Sequence, residues 1–279
     1  MLKNTFLHIP RIGKATERRF WEKGITTWEE ALQASRRDLG VSDLLVKDYI
    51  ERSFKALDNQ DTDFFAELLP TSEMWRLIVT PELATKAGYL DIETNGMNPN
   101  YSIITVVGLF DGQDVSCFVY GKNLEELYEE IEKYNVLVTF NGKCFDVPFL
   151  KAALPGIKVP LAHVDLRYIL RQAGFSGGLK KIERYTGLAR NQDELGTLDG
   201  LDAVLLWQLY ERGEQEALTT LMRYNAEDIV GLKPLLELAC NMLIKEIPLS
   251  IDLLEVSERV TPDIPYSQEV IRQVKMREW

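Results

Sequence analysis

Residues 88–96 read GYLDIETNG, and this stretch does more than any other to restrict what the chain can become. In a strand, Leu90 and Ile92 point to one face while Asp91 and Glu93 point to the other. Two carboxylates side by side on a strand inside a sheet repel each other, and burial raises their pKa unless a cation relieves them. A solvated edge strand with an acidic face would show the same pattern, so the rest of the chain has to decide.

The surroundings are short apolar runs bounded by turns. Residues 75–79, 88–92, 102–110 and 115–120 predict strands of an antiparallel meander, with NGMNPN and DGQD as turn segments. Downstream, 124–134 has helical spacing, 136–140 is a buried strand, 145–153 a helix, 161–164 a strand and 166–172 a helix. Strands alternating with helices carry the meander into βαβ units, so the class is α/β. The remainder to about residue 242 is helical, and 243–279 is a Pro-interrupted tail without an assigned structure.

Ahead of the meander the texture is all-helical. An apolar lead and Gly13 precede a helix to Lys23, Gly24 stops it, and Thr26 or Thr27 caps a second helix. A further helix over 42–57 completes a small unit, residues 1–57. The polar DNQDTD segment opens an expected linker over 58–73, and the main domain is expected over 74–242.

With 279 residues, 46% of them hydrophobic, the chain can bury a full core. No apolar run is long enough to cross a bilayer and the N-terminus lacks a signal-type apolar core, which predicts a cytoplasmic protein. Cys117, Cys144 and Cys240 are scattered without CxxC spacing, so neither a disulfide framework nor a zinc site is expected. The formal net charge is −11, which at first disfavours a nucleic-acid partner. The charge is uneven, however. Residues 1–55 carry 11 Lys and Arg against 8 Asp and Glu, leaving the acidity to the body of the chain. Carboxylates gathered to hold cations account for part of it.

Two further acids fit such a gathering. In LVTFNGKCFDVPFL, Asp146 opens the helix that follows a strand and an Asn141-Gly142 turn; a plain preference of an acid for a helix N-terminus would place it there as well. In RYNAEDIVGL, Tyr224 and Asp228 are i and i+4 and share a helix face. Together the acids supply what phosphodiester hydrolysis requires. Two divalent ions roughly 4 Å apart activate a water and stabilise the leaving oxygen, and hard ions such as Mg²⁺ or Mn²⁺ take carboxylate oxygens. Histidine is scarce, with only His8 and His163 in the chain, so Tyr224 is the available group for orienting the attacking water.

DxE on the first long strand, N-x4-D after a later strand and Y-x3-D on a late helix occur in the order found in the DEDD exonuclease superfamily of the ribonuclease-H-like fold, whose DEDDy branch this sequence resembles, with YprB-like predicted exonucleases most similar. The resemblance covers about residues 74–240. It implies a mixed five-stranded sheet flanked by helices, with Asp91, Glu93 and Asp228 as direct ligands of two Mg²⁺ or Mn²⁺ ions and Asp146 as a ligand in part through water. It further implies 3′–5′ removal of nucleotides from DNA or RNA. Thr94, Asn95, Asn141 and Phe145 match positions that meet the terminal nucleotide, and Leu179 and Lys180, in GGLKKIERYTGL, match a segment bordering the substrate. The N-terminal hairpin resembles a helix-hairpin-helix module, with Arg11 where the first turn glycine usually stands; Arg11 and Lys14 are its candidate phosphate contacts. An endonuclease of the same fold, or a catalytically silent nucleic-acid-binding scaffold, is compatible with the same residues.

Overall fold

The computed structural model describes residues 1–83, 85–189 and 194–277. Its helices are α1 (Lys14–Glu22), α2 (Trp28–Gln33), α3 (Arg36–Leu39), α4 (Asp43–Asp58), α5 (Thr62–Leu68), α6 (Trp75–Ile78), α7 (Leu127–Ile131), α8 (Asp146–Ala153), α9 (Leu166–Gln172), α10 (Leu179–Thr186), α11 (Gly200–Glu211), α12 (Gln215–Val230), α13 (Leu232–Lys245) and α14 (Gln268–Met276). The strands are β1 (Ala87–Thr94), β2 (Ile104–Phe110), β3 (Val115–Val119), β4 (Val136–Thr139) and β5 (Ala162–Asp165).

The strands form one mixed sheet in the order β3-β2-β1-β4-β5. β1, β2 and β3 pair antiparallel, as the meander requires, and β4 and β5 join parallel to β1 through helical crossovers. Every residue of β2 and β4 is buried, since helices cover both faces. Leu90, Ile92, Val107, Leu109 and Leu137 pack against α7 and α8. On the opposite face Tyr89, Phe110, Val136, Val138 and Val164 meet α9, α13 and the N-terminal helices in a single core with Phe6, Trp28 and Phe65. The helical N-terminal unit is therefore packed onto the sheet.

In that unit Thr27 caps α2 in a reciprocal capping box with Glu30, and Gly24 ends α1 at φ 80°. Arg11 takes the left-handed conformation, φ 71°, that a glycine would adopt freely.

Two expectations change, and the unassigned tail gains a description. Residues 75–79, expected as a strand, instead hold the helix α6 and its C-cap Val79: a short apolar run has no period long enough to separate the two, and here Arg76 is drawn inward to buried carboxylates. The 58–73 segment is not an extended linker. It forms α5 and a 3-10 turn, Thr71–Glu73, because Phe65 and Leu69 behind its polar opening are buried. Beyond α13, residues 250–267 run as a strap without helix or strand, and α14 then packs on α11 and α12. No helix among the described residues is long and apolar enough to cross a membrane.

The joint between the N-terminal unit and the sheet is ionic and buried. Arg76 makes two bonds to Glu17 of α1, Nη1 to Oε1 at 2.9 Å and Nη2 to Oε2 at 3.0 Å, and its Nε reaches Glu73 at 2.9 Å. Glu17 also accepts the Phe6 N–H at 2.7 Å. Removing one partner of a buried pair strands the other charge. Arg76→Ala is therefore expected to lower unfolding free energy by about 3–5 kcal/mol in urea titration, and a loss within 1 kcal/mol would show the pair to be dispensable.

Candidate active site

Asp91 and Glu93 project from the β1 face that lies under α12, and Asp228 descends from α12 toward them. One carboxylate oxygen from each of the three lies within 4.8 Å of the others. Asp146, the first residue of α8, is buried beside them, and its Oδ1 accepts the backbone N–H of Ile92 at 3.1 Å. The structure thus brings the four predicted carboxylates to one place, three as a tight set and the fourth anchored to the strand between Asp91 and Glu93.

The electrostatics are those of a buried anionic site. Burial, then the charges of Asp146, Glu93 and Asp228, hold the Asp91 carboxyl well above the ordinary range. Glu93 is raised by burial and by Asp228 and Asp146, with Lys180 opposing. Asp146 is pushed up to about 7, chiefly by burial. An all-oxygen, mutually repelling donor set suits hard divalent cations, which would reverse that balance.

Close approach of α12 to the sheet makes the set possible. Gly108 of β2 sits directly across from Asp91, and a Cβ there would fall 2.0 Å from Asn225 Oδ1 and 3.0 Å from Ile229 Cδ1. Asn225, fully buried, uses that space to donate from Nδ2 to Asp91 Oδ2 at 3.0 Å. Its Oδ1 has no hydrogen-bond partner among the described residues. Tyr224, 5% exposed, stands one turn before Asp228, and the Lys180 ammonium lies 4.7 Å from its ring centre.

The other predicted positions divide. Thr94 and Asn95 stand beyond the β1 irregularity that follows Glu93. Their side chains close the turn: Thr94 Oγ1 donates to the Gly96 carbonyl at 2.7 Å, and Asn95 Oδ1 accepts the Ile103 N–H at 2.8 Å. Asn141, at φ 68°, turns the chain between β4 and α8, and Phe145 caps α8 with its ring 4.8 Å from that of Phe149. Leu179 is half-buried against the core. Arg11 and Lys14 lie away from the carboxylates, in the N-terminal unit. Arg11 is exposed, while Lys14 is paired with Glu73 at 2.5 Å and bonded to Gln172 at the C-terminal end of α9.

Some contributors escaped sequence reading. Asp165 is buried and collects three backbone N–H groups, from Asn141 at 2.8 Å, Lys143 at 3.1 Å and Arg167 at 3.1 Å, and so fixes the loop that delivers Asp146. Its place between a strand and a helix was the available signal. Gly108, a glycine inside an apolar strand, was another. Arg259 gave none. From the strap it pairs with Glu183 of α10 at 2.8 Å and Glu227 of α12 at 3.3 Å, tying together the helices that carry Lys180 and Asp228.

A family model described as the RNase_H superfamily matches residues 88–240, more than half of the chain and every residue of the acidic set. The chain belongs to the ribonuclease H superfamily. No curated protein matches its sequence. Among solved structures, this superfamily member is similar to the family B DNA polymerase of the hyperthermophilic archaeon Pyrobaculum calidifontis, with 16% identity over 56% of this chain, 26% of the polymerase and a TM-score of 0.44. It is also similar to Brucella melitensis NrnC with bound Mg²⁺, with 18% identity over 58% of this chain, 75% of NrnC and a TM-score of 0.41. For the EXO domain of Aedes aegypti Nibbler the identity is 14% over 63% of this chain and 87% of that domain, with a TM-score of 0.43. The chain spans only about a quarter of the polymerase's length.

Two expectations follow from the site's electrostatics and packing. Raised carboxyl pKa values mean that the metal-free folded state holds protons the unfolded chain has released, so the site's contribution to stability falls as pH rises from about 4. Metal-free Asp91→Asn should therefore gain on the wild type with increasing pH, by about 0.5–2 kcal/mol at pH 8; thermal unfolding across pH would show instead a constant or shrinking difference if the carboxylates did not repel. Gly108→Ala should lose about 1–3 kcal/mol, since its methyl group and the buried Asn225 amide cannot share the space.

Proposed function

We propose that this chain is a divalent-metal-dependent nuclease of the DEDDy type that removes nucleotides from the 3′ end of single-stranded DNA or RNA. The convergence of Asp91, Glu93 and Asp228 on one point, with Asp146 buried beside them, carries the reading. Membership of the ribonuclease H superfamily supports it. Asp91, Glu93 and Asp228 would hold two Mg²⁺ or Mn²⁺ ions directly, and Asp146 in part through water. Bound there, such ions supply Lewis acidity to the attacking water and to the leaving oxygen of a phosphodiester.

The chain's own residues do the positioning. Asn225 holds Asp91 by its Oδ2, which fixes that carboxylate within reach of Glu93 and Asp228. The Ile92 N–H holds Asp146 in the same way. A phenol is a weak base near neutral pH but a good hydrogen-bond partner for a water, and Tyr224 takes that role on the helix face of Asp228. Lys180 brings a positive charge to a site otherwise made of anions, where a substrate phosphate would also gather. By the DEDDy resemblance, Thr94, Asn95, Asn141 and Phe145 would meet the terminal nucleotide.

Incubation of the full chain with end-labelled single strands and Mg²⁺ or Mn²⁺ should yield mononucleotides from linear strands and leave circular single strands intact. Asp91→Asn should abolish release, and Tyr224→Phe should lower kcat by about 10²-fold or more with little change in KM. Wild-type protein that cuts nothing, or Asp91→Asn that cuts normally, would overturn the proposal. Cleavage of circles would convert it to an endonuclease.

A further inference from the structure

Between the turn after β4, the helix α9 and the start of α10 lies an open cleft of about 590 Å³, within the range of sites that hold small organic ligands. Phe140, Asn141, Arg167, Arg171, Phe175 and Gly178 line it. The chain links it to the acidic set at two points. From Asn141 the chain leads through a short loop to Asp146, and from Gly178 it leads within two residues to Lys180, 4.7 Å from the Tyr224 ring centre.

The charge of this cleft runs against that of the chain. In a protein of net charge −11, Arg167 and Arg171 stand at i and i+4 on α9, both exposed. Neither makes an ion pair among the described residues; Arg167 instead donates to the Asn141 amide oxygen at 2.5 Å. Like charges at this spacing destabilise a helix slightly, and a polyanion in the cleft would reverse that effect. Between them and the core, Phe140 and Phe175 are half-buried against the main hydrophobic cluster. Guanidinium groups for phosphate next to aromatic rings for bases is the combination that binds single strands without reading sequence.

Building on the nuclease reading, we infer that this cleft holds the nucleotide of the substrate strand next to the one at the carboxylates, with Arg167 and Arg171 on its phosphates and Phe140 and Phe175 against its base. Removal of the arginines then costs strand affinity and weakens its dependence on salt, while the carboxylates are left as they are.

The test uses full-length protein carrying Asp91→Asn, so that strands are bound and not consumed, with Ca²⁺ present and fluorescence anisotropy of short labelled oligothymidylate and oligouridylate as the readout. Arg167→Ala with Arg171→Ala should weaken binding at least about 10-fold and reduce the slope of log affinity against log salt by about 0.7 for each phosphate no longer neutralised. Lys158→Ala with Lys133→Ala, an equal loss of charge at surface pairs with Glu132 and Glu130, should do neither. If the double variant binds with unchanged affinity and slope while the parent binds both strands, the cleft assignment is overturned and the nuclease reading stands. If the parent binds neither strand, the nuclease reading falls and the cleft assignment falls with it.

Discussion

Repulsion among buried carboxylates is the interaction around which the fold is arranged. Left to themselves, Asp91, Glu93 and Asp146 would separate or protonate, and burial already drives all three toward the protonated form. The scaffold prevents separation. β1 is clamped between β2 and β4 in the middle of the sheet, the Ile92 N–H and the loop caged by Asp165 fix Asp146, and α12 is held down on β1 and β2 by the absence of a side chain at Gly108. Stability elsewhere offsets the strain of the site, as is usual where function requires like charges to be neighbours.

Two peripheral pieces serve the same end. The strap that follows α13 bonds to Asn241 through both the N–H and the carbonyl of Leu254 at 2.8 Å each, and then places Arg259 between Glu183 and Glu227. Gly231 leaves room for it, since a Cβ there would stand 2.4 Å from the guanidinium. At the other end, the N-terminal helices add Phe6, Trp28 and Phe65 to the sheet's own core, with Arg76 as the buried tie. The ionic bonds of Arg76 and Arg259 hold the elements around the sheet at fixed positions.

Much of this was legible in the sequence because it depends on local pattern. The alternation of Leu90 and Ile92 with Asp91 and Glu93 determines which face carries the acids, the i,i+4 spacing of Tyr224 and Asp228 determines their shared helix face, and the turn at Asn141-Gly142 locates Asp146 at a helix start. What escaped depends on tertiary contact. Residues 75–79 have strand-like composition but form a helix where Arg76 meets Glu17 and Glu73, and no local pattern reveals partners so far along the chain. Phe65 sits behind a polar segment that reads as a linker until its burial is known. Asn225 lies in plain view beside Tyr224, yet its bond to Asp91 spans 134 positions. Arg259 lies in a strap with no periodicity at all.

The acidic set is proposed as a site for divalent cations. Titration of Mn²⁺ into the metal-free full chain at pH 8, followed by calorimetry, tests it without requiring a substrate. The account predicts saturable binding that releases protons as the raised carboxyls ionise and that is lost in both Asp91→Asn and Asp228→Asn. Absence of binding by the wild type, or binding that survives both substitutions, would contradict it.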